Sequence, residues 1–357
     1  MISLARPHVI RRPVRISRMP ISCSFPATSA TTFTFYYSTT RASTMSSRPA
    51  AGIVQSRPTP QAPRPSATAI VVNSQNEVLL VHRNPKSSSF ANAHVFPGGN
   101  YDKKQDEGQG LPFTAIREVF EESGLLLVHP SSSGLPIDAE LDKAREAIHA
   151  QKRLLNDFLI EHDLKPNVEG LLPFTTWITP PIYPKRFRTQ FYVTFLDETR
   201  SAGFSSGDKQ ERLPTPDGGQ EVIEARFVHP TKALEEFYSE RITLFPPQFY
   251  LLTTLSSLLE GPRNTPEQRE RVRALSNGAF GQMVINPRVI RDKDAEAEGY
   301  KVITYEGDEA NGGSPGRRHR CRLKFGQGGS ATYITLERNF DIFTEIESHL
   351  FSAPAKL

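Results

Sequence analysis

Alternating and helical hydrophobic patterns divide the chain into strands and helices. Two β-branched apolar runs, 67–73 and 77–83, are separated by Ser-Gln-Asn and predict a β-hairpin. The segment 111–124 has the spacing of an amphipathic helix, with Pro112 suited to its first turn and Gly124 to its end. Leu141, Ala144, Ile148, Leu155, Phe158 and Leu159 follow at helical steps and predict one long helix over Asp138–Leu164.

The rest of the chain continues this mixture of elements. Strands are predicted at 170–179, 187–196, 221–230, 282–290, 300–306, 320–325 and 331–339, and helices at 231–238, 246–260 and 265–277. Strands and helices in this order are typical of an α+β fold. With a Pro-rich linker at 56–67, the pattern predicts a leader over 1–65, a central domain over 66–260 with a helical insertion near 138–164, and a C-terminal α/β extension over 261–357.

The charge distribution separates the leader from the body. Nine of the 43 Lys and Arg residues precede Glu77, and no Asp or Glu does, so the net charge of +4 reflects the leader. The remaining chain has more acidic than basic residues, which argues against a nucleic-acid partner. No apolar run approaches the roughly 20 residues of a membrane-spanning helix. Two distant cysteines, Cys23 and Cys321, argue against a disulfide framework or a zinc site.

Both ends of the chain carry possible targeting signals. The Arg- and Ser-rich, acid-free leader is typical of a mitochondrial transit peptide, and a disordered upstream extension is the alternative. The last three residues, Ala355-Lys356-Leu357, resemble a peroxisomal signal that an import receptor reads. The two signals predict a peroxisomal location, a mitochondrial location, or both.

Three glutamates within five positions carry the candidate chemistry. Glu118, Glu121 and Glu122 share one helix face, where their charges repel unless a cation lies between them. Clustered carboxylates suit Mg²⁺ or Mn²⁺. Arg117 could hold a carboxylate in place, and Gly98-Gly99 would let the backbone approach the helix closely. The alternative is a solvated charged helix face.

The whole string from Gly99 to Leu125 resembles the Nudix box, Gx5Ex7REUxEExGU, where U is an aliphatic residue. Every position of the second half of the box matches: Arg117, Glu118, Val119, Glu121, Glu122, Gly124 and Leu125. The resemblance implies a Nudix hydrolase, with a mixed sheet between helices and catalytic roles for Arg117, Glu118 and Glu121. The first half departs from the pattern, because Gly99 and Arg117 are 18 positions apart instead of 14. Its acid therefore has no fixed counterpart; Asp102, Asp106 and Glu107 are nearby, and Gln109 has the nominal spacing.

The segments 81–99 and 177–195 resemble the peroxisomal acyl-CoA diphosphatase branch of the family, the motif 19-type. That branch implies cleavage of CoA or acyl-CoA to 3′,5′-ADP and (acyl-)4′-phosphopantetheine. A Nudix hydrolase of NADH or ADP-ribose and a non-catalytic ligand-binding module are the alternatives.

Several residues outside the glutamate cluster are candidates for substrate contacts. Gly98, Gly99, Arg186 and Arg188 are predicted to bind substrate, the arginines through the 3′-phosphate of CoA, although they could be ordinary strand-end cations. Trp177 could stack on adenine or lie in the core. Glu221 and Glu224 could add acidic groups from a strand or lie on its exposed edge. The helix over 138–164 could wall an acyl-binding cleft or simply pack.

Overall fold

The first strand, β1 (Arg64–Val72), places its side chains alternately on two faces of a sheet. Ala67, Ala69 and Val71 enter one hydrophobic cluster, and Ile70 and Val72 enter another. A strand that is apolar on both faces needs cover on both sides, and helices provide it. The computed structural model describes residues 61–87, 90–129, 134–196, 221–326 and 331–346.

The elements within these ranges follow the predicted order. The strands are β1, β2 (Val78–Arg83), β3 (His94–Val95), β4 (Gly98–Asn100), β5 (Val128–His129), β6 (Lys165–Pro166), β7 (Leu172–Ile178), β8 (Phe187–Phe195), β9 (Val222–Val228), β10 (Val284–Ile285), β11 (Arg288–Ile290), β12 (Lys301–Thr304), β13 (His319–Phe325) and β14 (Ala331–Arg338). The helices are α1 (Lys103–Asp106), α2 (Gly110–Ser123), α3 (Asp138–His149), α4 (Leu155–Glu161), α5 (Pro230–Tyr238), α6 (Pro246–Ser256), α7 (Pro266–Asn277), α8 (Ala279–Gln282) and α9 (Lys293–Ala297).

A mixed sheet organises the described residues. Its main path runs β10-β7-β8-β1-β2-β3, while β4 pairs with β1 and β9 with β2. The predicted hairpin is confirmed, since β1 and β2 pair antiparallel at Val72 and Val78. β1 runs parallel to β8 along its whole length, and its first residues also pair antiparallel with β4. This double pairing brings the glycine strand β4 beside the start of β1.

Helix α2 covers one face of the sheet and carries the three glutamates. Phe113, Ile116 and Phe120 are fully buried in the cluster on that face. The helix ends at Gly124, as predicted, because that residue adopts a left-handed φ of 72° and its N–H donates to the carbonyl of Phe120. α2 therefore presents a fixed polar edge next to β4.

The inserted segment is two helices, so the prediction of one long helix over Asp138–Leu164 was wrong. α3 ends at His149, and α4 begins at Leu155 after a turn in which Gln151 has a φ of 59°. The left-handed turn lets both helices bury their apolar faces in the cluster around α2. In that cluster, the ring centroids of Phe158 and Phe120 are 6.2 Å apart. The apolar stripe is thus used in packing.

The C-terminal segment packs into the same hydrophobic core as the central one. Strands β11 to β14 form a second sheet, but β10 pairs with β7 of the main sheet. Tyr305 and Leu323 share a cluster with Ile70 and Phe191. The predicted boundary at residues 260 and 261 therefore falls inside one compact unit, Pro58–Leu357. Among the described residues, no helix has the length and apolar character to cross a membrane.

The predicted transit peptide and the terminal Ala355-Lys356-Leu357 lie outside the described residues. Both stay predictions.

Candidate active site

The three glutamates line one cavity between α2 and the strands β1 and β4. Its volume is about 520 Å³, and Gly98 and Gly99 form part of its wall. Glu121 and Glu122 are buried, and the side chain of Glu118 is 13% exposed. The predicted cluster is therefore a largely buried group of carboxylates at the wall of a cavity and not a solvated helix face.

Arg117 contacts two glutamates of this cluster through one guanidinium nitrogen. Its Nη1 is 2.9 Å from Glu118 Oε1 and 3.0 Å from Glu121 Oε1. Burial alone would lower the pKa of Arg117, but Glu118, Asp106 and Glu121 together raise it above its usual value. The guanidinium thus stays charged and holds the carboxylates of Glu118 and Glu121 by charged hydrogen bonds. Arg117 thus contacts two of the three glutamates, and its role in orienting them stays a prediction.

Asp106 is the acidic residue that the first half of the motif left unassigned. It is fully buried, and its two oxygens accept from Arg117 Nε at 2.8 Å and Nη2 at 3.0 Å. Its Oδ2 also accepts from Thr114 Oγ1 and from the N–H of Asp102. The other acids near it do different work: Asp102 caps α1 and Glu107 is exposed. Sequence spacing alone could not choose among them, because the fold of α1 decides that Asp106 is buried.

The two glycines are required for different contacts. A Cβ on Gly98 would lie 2.3 Å from Thr68 Oγ1 and 2.5 Å from the carbonyl oxygen of Ala67, so a side chain would push β4 off β1. A Cβ on Gly99 would lie 2.4 Å from the carboxylate of Glu118. The N–H of Gly98 also donates to Glu122 Oε2 at 2.9 Å. The glycine strand therefore holds two of the glutamates in place.

The enclosed carboxylates are held at an electrostatic cost that a cation would relieve. Burial raises the pKa of Glu118 from 4.5 to about 7, against the opposing effect of Arg117 and with a further rise from Glu121. Burial also raises the pKa of Glu122 well above its usual value, opposed by Arg83 and reinforced by Glu118. Carboxylate oxygens are the donors that Mg²⁺ or Mn²⁺ prefers, and such an ion would offset the charge that burial penalises. The residues present therefore fit a divalent cation.

Sequence reasoning missed Arg83, the second cation of the cavity wall. Its Nη1 lies 3.1 Å from Glu122 Oε1, and its Nη2 lies 3.3 Å from Glu221 Oε2. Glu221 thus lines the cavity, whereas Glu224 lies on the neighbouring part of β9 and pairs with Arg226. His149 also reaches the cavity, with Nδ1 3.4 Å from Glu121 Oε2. No sequence signal pointed to Arg83 or His149, because both arrive from segments distant from the motif.

Arg186 and Arg188 lie outside the cavity that the glutamates line. On β8, Phe187 and Thr189 line the cavity, so the alternating residues on either side do not. Arg186 is buried and donates to the backbone carbonyls of Thr179 and Gln61. Arg188 is exposed and lies outside the cavity wall. The predicted contact of both arginines with substrate stays a prediction.

Trp177 lies in the core, which was the alternative to a role in base stacking. It is 4% exposed and packs edge-on against Tyr250 and Tyr305, with ring centroids 5.4 and 5.3 Å away.

Comparison with known families identifies this constellation. A NUDIX domain model matches residues 62–149, and a NUDT19 Nudix domain model matches residues 108–255. Together they span more than half of the chain and include every element that forms the cavity. The chain belongs to the Nudix hydrolase superfamily.

Curated relatives narrow the resemblance within that superfamily. The chain is 28% identical over 198 residues to putative nudix hydrolase 7 of Caenorhabditis elegans, covering 54% of this chain and 61% of the relative. It is 29% identical over 241 residues to acyl-coenzyme A diphosphatase NUDT19 of Xenopus laevis, covering 51% of this chain and 60% of the relative. The match therefore spans about three fifths of the length of each relative.

Among solved structures, a NUDIX hydrolase from Alicyclobacillus acidocaldarius is 24% identical, with a TM-score of 0.42. The match covers 55% of this chain and 92% of that one.

Proposed function

We propose that this protein is a divalent-metal-dependent diphosphatase that hydrolyses CoA or acyl-CoA. The products are 3′,5′-ADP and 4′-phosphopantetheine or its acyl form. The observation that carries the reaction class is the buried Asp106–Arg117 pair holding Glu118 and Glu121 at the wall of a cavity. The substrate rests on the resemblance to relatives named acyl-coenzyme A diphosphatase.

The residues of the chain divide the work between holding a cation and positioning the substrate. Glu118, Glu121 and Glu122 would hold Mg²⁺ or Mn²⁺, which supplies a Lewis acid for the diphosphate oxygens and makes an attacking water more acidic. Arg117 and the N–H of Gly98 keep the three carboxylates in fixed rotamers, so little reorganisation is needed. Arg83 adds a positive charge beside Glu122, where a diphosphate would need one.

Product analysis tests both the reaction and the substrate. Purified protein is incubated with CoA, an acyl-CoA, NADH or ADP-ribose, each with Mg²⁺ or Mn²⁺ and each with a chelator instead. Release of 3′,5′-ADP from the CoA compounds, dependent on the metal, is the expected result. Release of AMP from NADH or ADP-ribose in preference would favour the second substrate class, and binding without turnover of any compound would favour a non-catalytic module.

Two variants link the activity to the site. Glu121→Gln is expected to lose turnover while keeping the circular dichroism spectrum of the folded protein. Glu107→Gln removes an exposed carboxylate that lies close in sequence but outside the cavity, and it is expected to retain full activity. Equal activity in the two variants would remove the glutamate cluster from the mechanism.

A further inference from the structure

Phe90 combines two unusual features at the wall of the cavity. Its backbone has a φ of 52°, in the left-handed region that bulky side chains rarely adopt. Its side chain is 42% exposed, although it is a large aromatic group. The φ angle strains the backbone, and the exposed ring is unfavourable in water. Backbone strain persists only where the surrounding structure enforces it, and strained residues concentrate at ligand sites.

Contacts behind Phe90 fix its ring in this position. Phe245 meets it edge-on, with ring centroids 5.0 Å apart and an angle of 82° between the planes. Phe187 lies 5.9 Å away at an angle of 39°. The carbonyl of Phe90 accepts a hydrogen bond from the N–H of Ala93. Phe90 and Phe187 both line the cavity, so a buttressed aromatic surface faces the same space as the glutamates.

The remainder of the wall decides which part of a ligand this surface suits. Carboxylates, two arginines and the hydroxyls of Ser66, Thr68 and Thr189 form most of it, and no Leu, Ile, Val or Met occurs in the described lining. An acyl chain needs a continuous aliphatic trough, which this wall does not offer. A planar aromatic ring needs only one ring to stack on and polar groups at its edge.

We propose that Phe90, supported by Phe187 and Phe245, is the stacking platform for the nucleobase of the substrate. The proposal deepens the function given above and rests on it for the nucleotide character of the ligand. The diphosphate would then reach toward Glu118 and Glu122 while the base lies on Phe90, within one cavity of about 520 Å³. The role that sequence reasoning offered to Trp177 belongs to Phe90.

Nucleotide binding measured without turnover tests the platform. Calorimetric titrations with 3′,5′-ADP and with inorganic pyrophosphate, both in Mg²⁺, compare the wild type with Phe90→Ala, Phe90→Leu and Phe90→Trp. Phe343→Ala is the matched control, because Phe343 is 41% exposed and lies outside the cavity. Thermal unfolding of each variant checks that it is folded.

Loss of stacking is expected to weaken 3′,5′-ADP binding about 5- to 100-fold in Phe90→Ala. Phe90→Leu should lose nearly as much, since it restores apolar volume but no π face, and Phe90→Trp should bind at least as tightly as the wild type. Pyrophosphate affinity should be the same in all of them. The platform is overturned if Phe90→Ala binds 3′,5′-ADP like Phe343→Ala, if Phe90→Leu binds like the wild type, or if pyrophosphate affinity falls equally.

These titrations separate the platform from the proposed reaction. A selective loss of 3′,5′-ADP binding in a protein that cleaves no CoA compound would support the platform and overturn the reaction. If the protein cleaves CoA but its Phe90 variants bind 3′,5′-ADP like the wild type, the reaction is supported and the platform is overturned.

Discussion

Asp106 and Arg117 form a two-pronged salt bridge, with Nε to Oδ1 at 2.8 Å and Nη2 to Oδ2 at 3.0 Å. Asp106 is fully buried, and Arg117 is 2% exposed. The pair leaves Nη1 of Arg117 free to bind Glu118 and Glu121, so the position of two candidate metal ligands depends on an aspartate more than ten residues away in the chain.

Replacing Asp106 by Asn should destabilise the protein and disturb the glutamates. Both oxygens of Asp106 accept hydrogen bonds, from Arg117 Nε and Nη2, Thr114 Oγ1 and the N–H of Asp102, so an amide nitrogen in either orientation would face a donor. Removing one partner of a buried ion pair costs about 3–5 kcal/mol. Urea unfolding should show that loss in the Asp106→Asn variant, together with lower activity. Unchanged stability would mean that Arg117 is held by its other contacts.

Gly99→Ala should move a metal ligand without straining the backbone. Gly99 does not adopt a left-handed φ, and the new Cβ would lie 2.4 Å from the carboxylate of Glu118. Because that carboxylate is the end of a flexible side chain, it should shift, and activity should fall at least about tenfold with little change in melting temperature. Gly108→Ala is the control: its φ of 77° is strained, but no atom lies near the added Cβ. It should lose some stability and keep its activity. Full activity in Gly99→Ala, with loss of activity in Gly108→Ala, would contradict the assignment of Glu118 as a metal ligand.

Arg186→Ala should lower stability and leave substrate affinity intact. Its guanidinium donates to two backbone carbonyls, those of Thr179 and Gln61, and lies outside the cavity. A hydrogen bond that involves a charged group contributes about 1.5–3 kcal/mol to the free energy of unfolding, and the variant loses such bonds. Arg188→Ala, an exposed neighbour, should change stability by less than about 0.5 kcal/mol. A large rise in KM for CoA with unchanged stability in Arg186→Ala would restore its predicted role in binding.

The stability of the protein should fall as the pH drops from 6.5 toward 4, and His319 should contribute to that fall together with His94, whose pKa burial lowers to about 3. Burial lowers the pKa of His319 from 6.5 to about 4, partly offset by its hydrogen bond to the carbonyl of Glu306 and aided by Arg338. The unfolded chain takes up the proton first, so this group costs up to about 3 kcal/mol of folding free energy below pH 4 and nothing above 6.5.

Urea unfolding at several pH values measures the effect. A His319→Gln variant should show a flatter dependence between pH 4 and 6.5, whatever its absolute stability. Equal slopes in the His319 variant and the wild type would contradict the pKa of about 4.

Local patterns predicted most of the fold because each acts through adjacent residues. The β1–β2 hairpin, α2 and its stop at Gly124 follow from spacing and from one glycine. The break between α3 and α4 depends on packing against Phe120, which the apolar period of 138–164 does not record. The second half of the motif likewise predicted the glutamate cluster, because residues three and four positions apart on a helix share one face.

Long-range contacts in the site were beyond the sequence pattern. Asp106 could be named only as one of several nearby acids, because its choice depends on which carboxylate the short helix α1 buries. Arg83, His149 and Phe90 come from separate segments and meet only in the folded sheet. Arg186 was assigned to the site by its charge, but its hydrogen bonds to the carbonyls of Thr179 and Gln61 hold it outside the cavity.

Anomalous diffraction from crystals soaked in Mn²⁺ tests most directly whether Glu118, Glu121 and Glu122 hold a divalent cation. We expect at least one Mn²⁺ peak in the cavity, with oxygens of these glutamates at about 2.1 Å from the ion. The peak should disappear in Glu122→Gln crystals that keep the same fold. A cavity without a peak, or a peak that stays in the variant, would contradict the assignment of the cluster as the metal site.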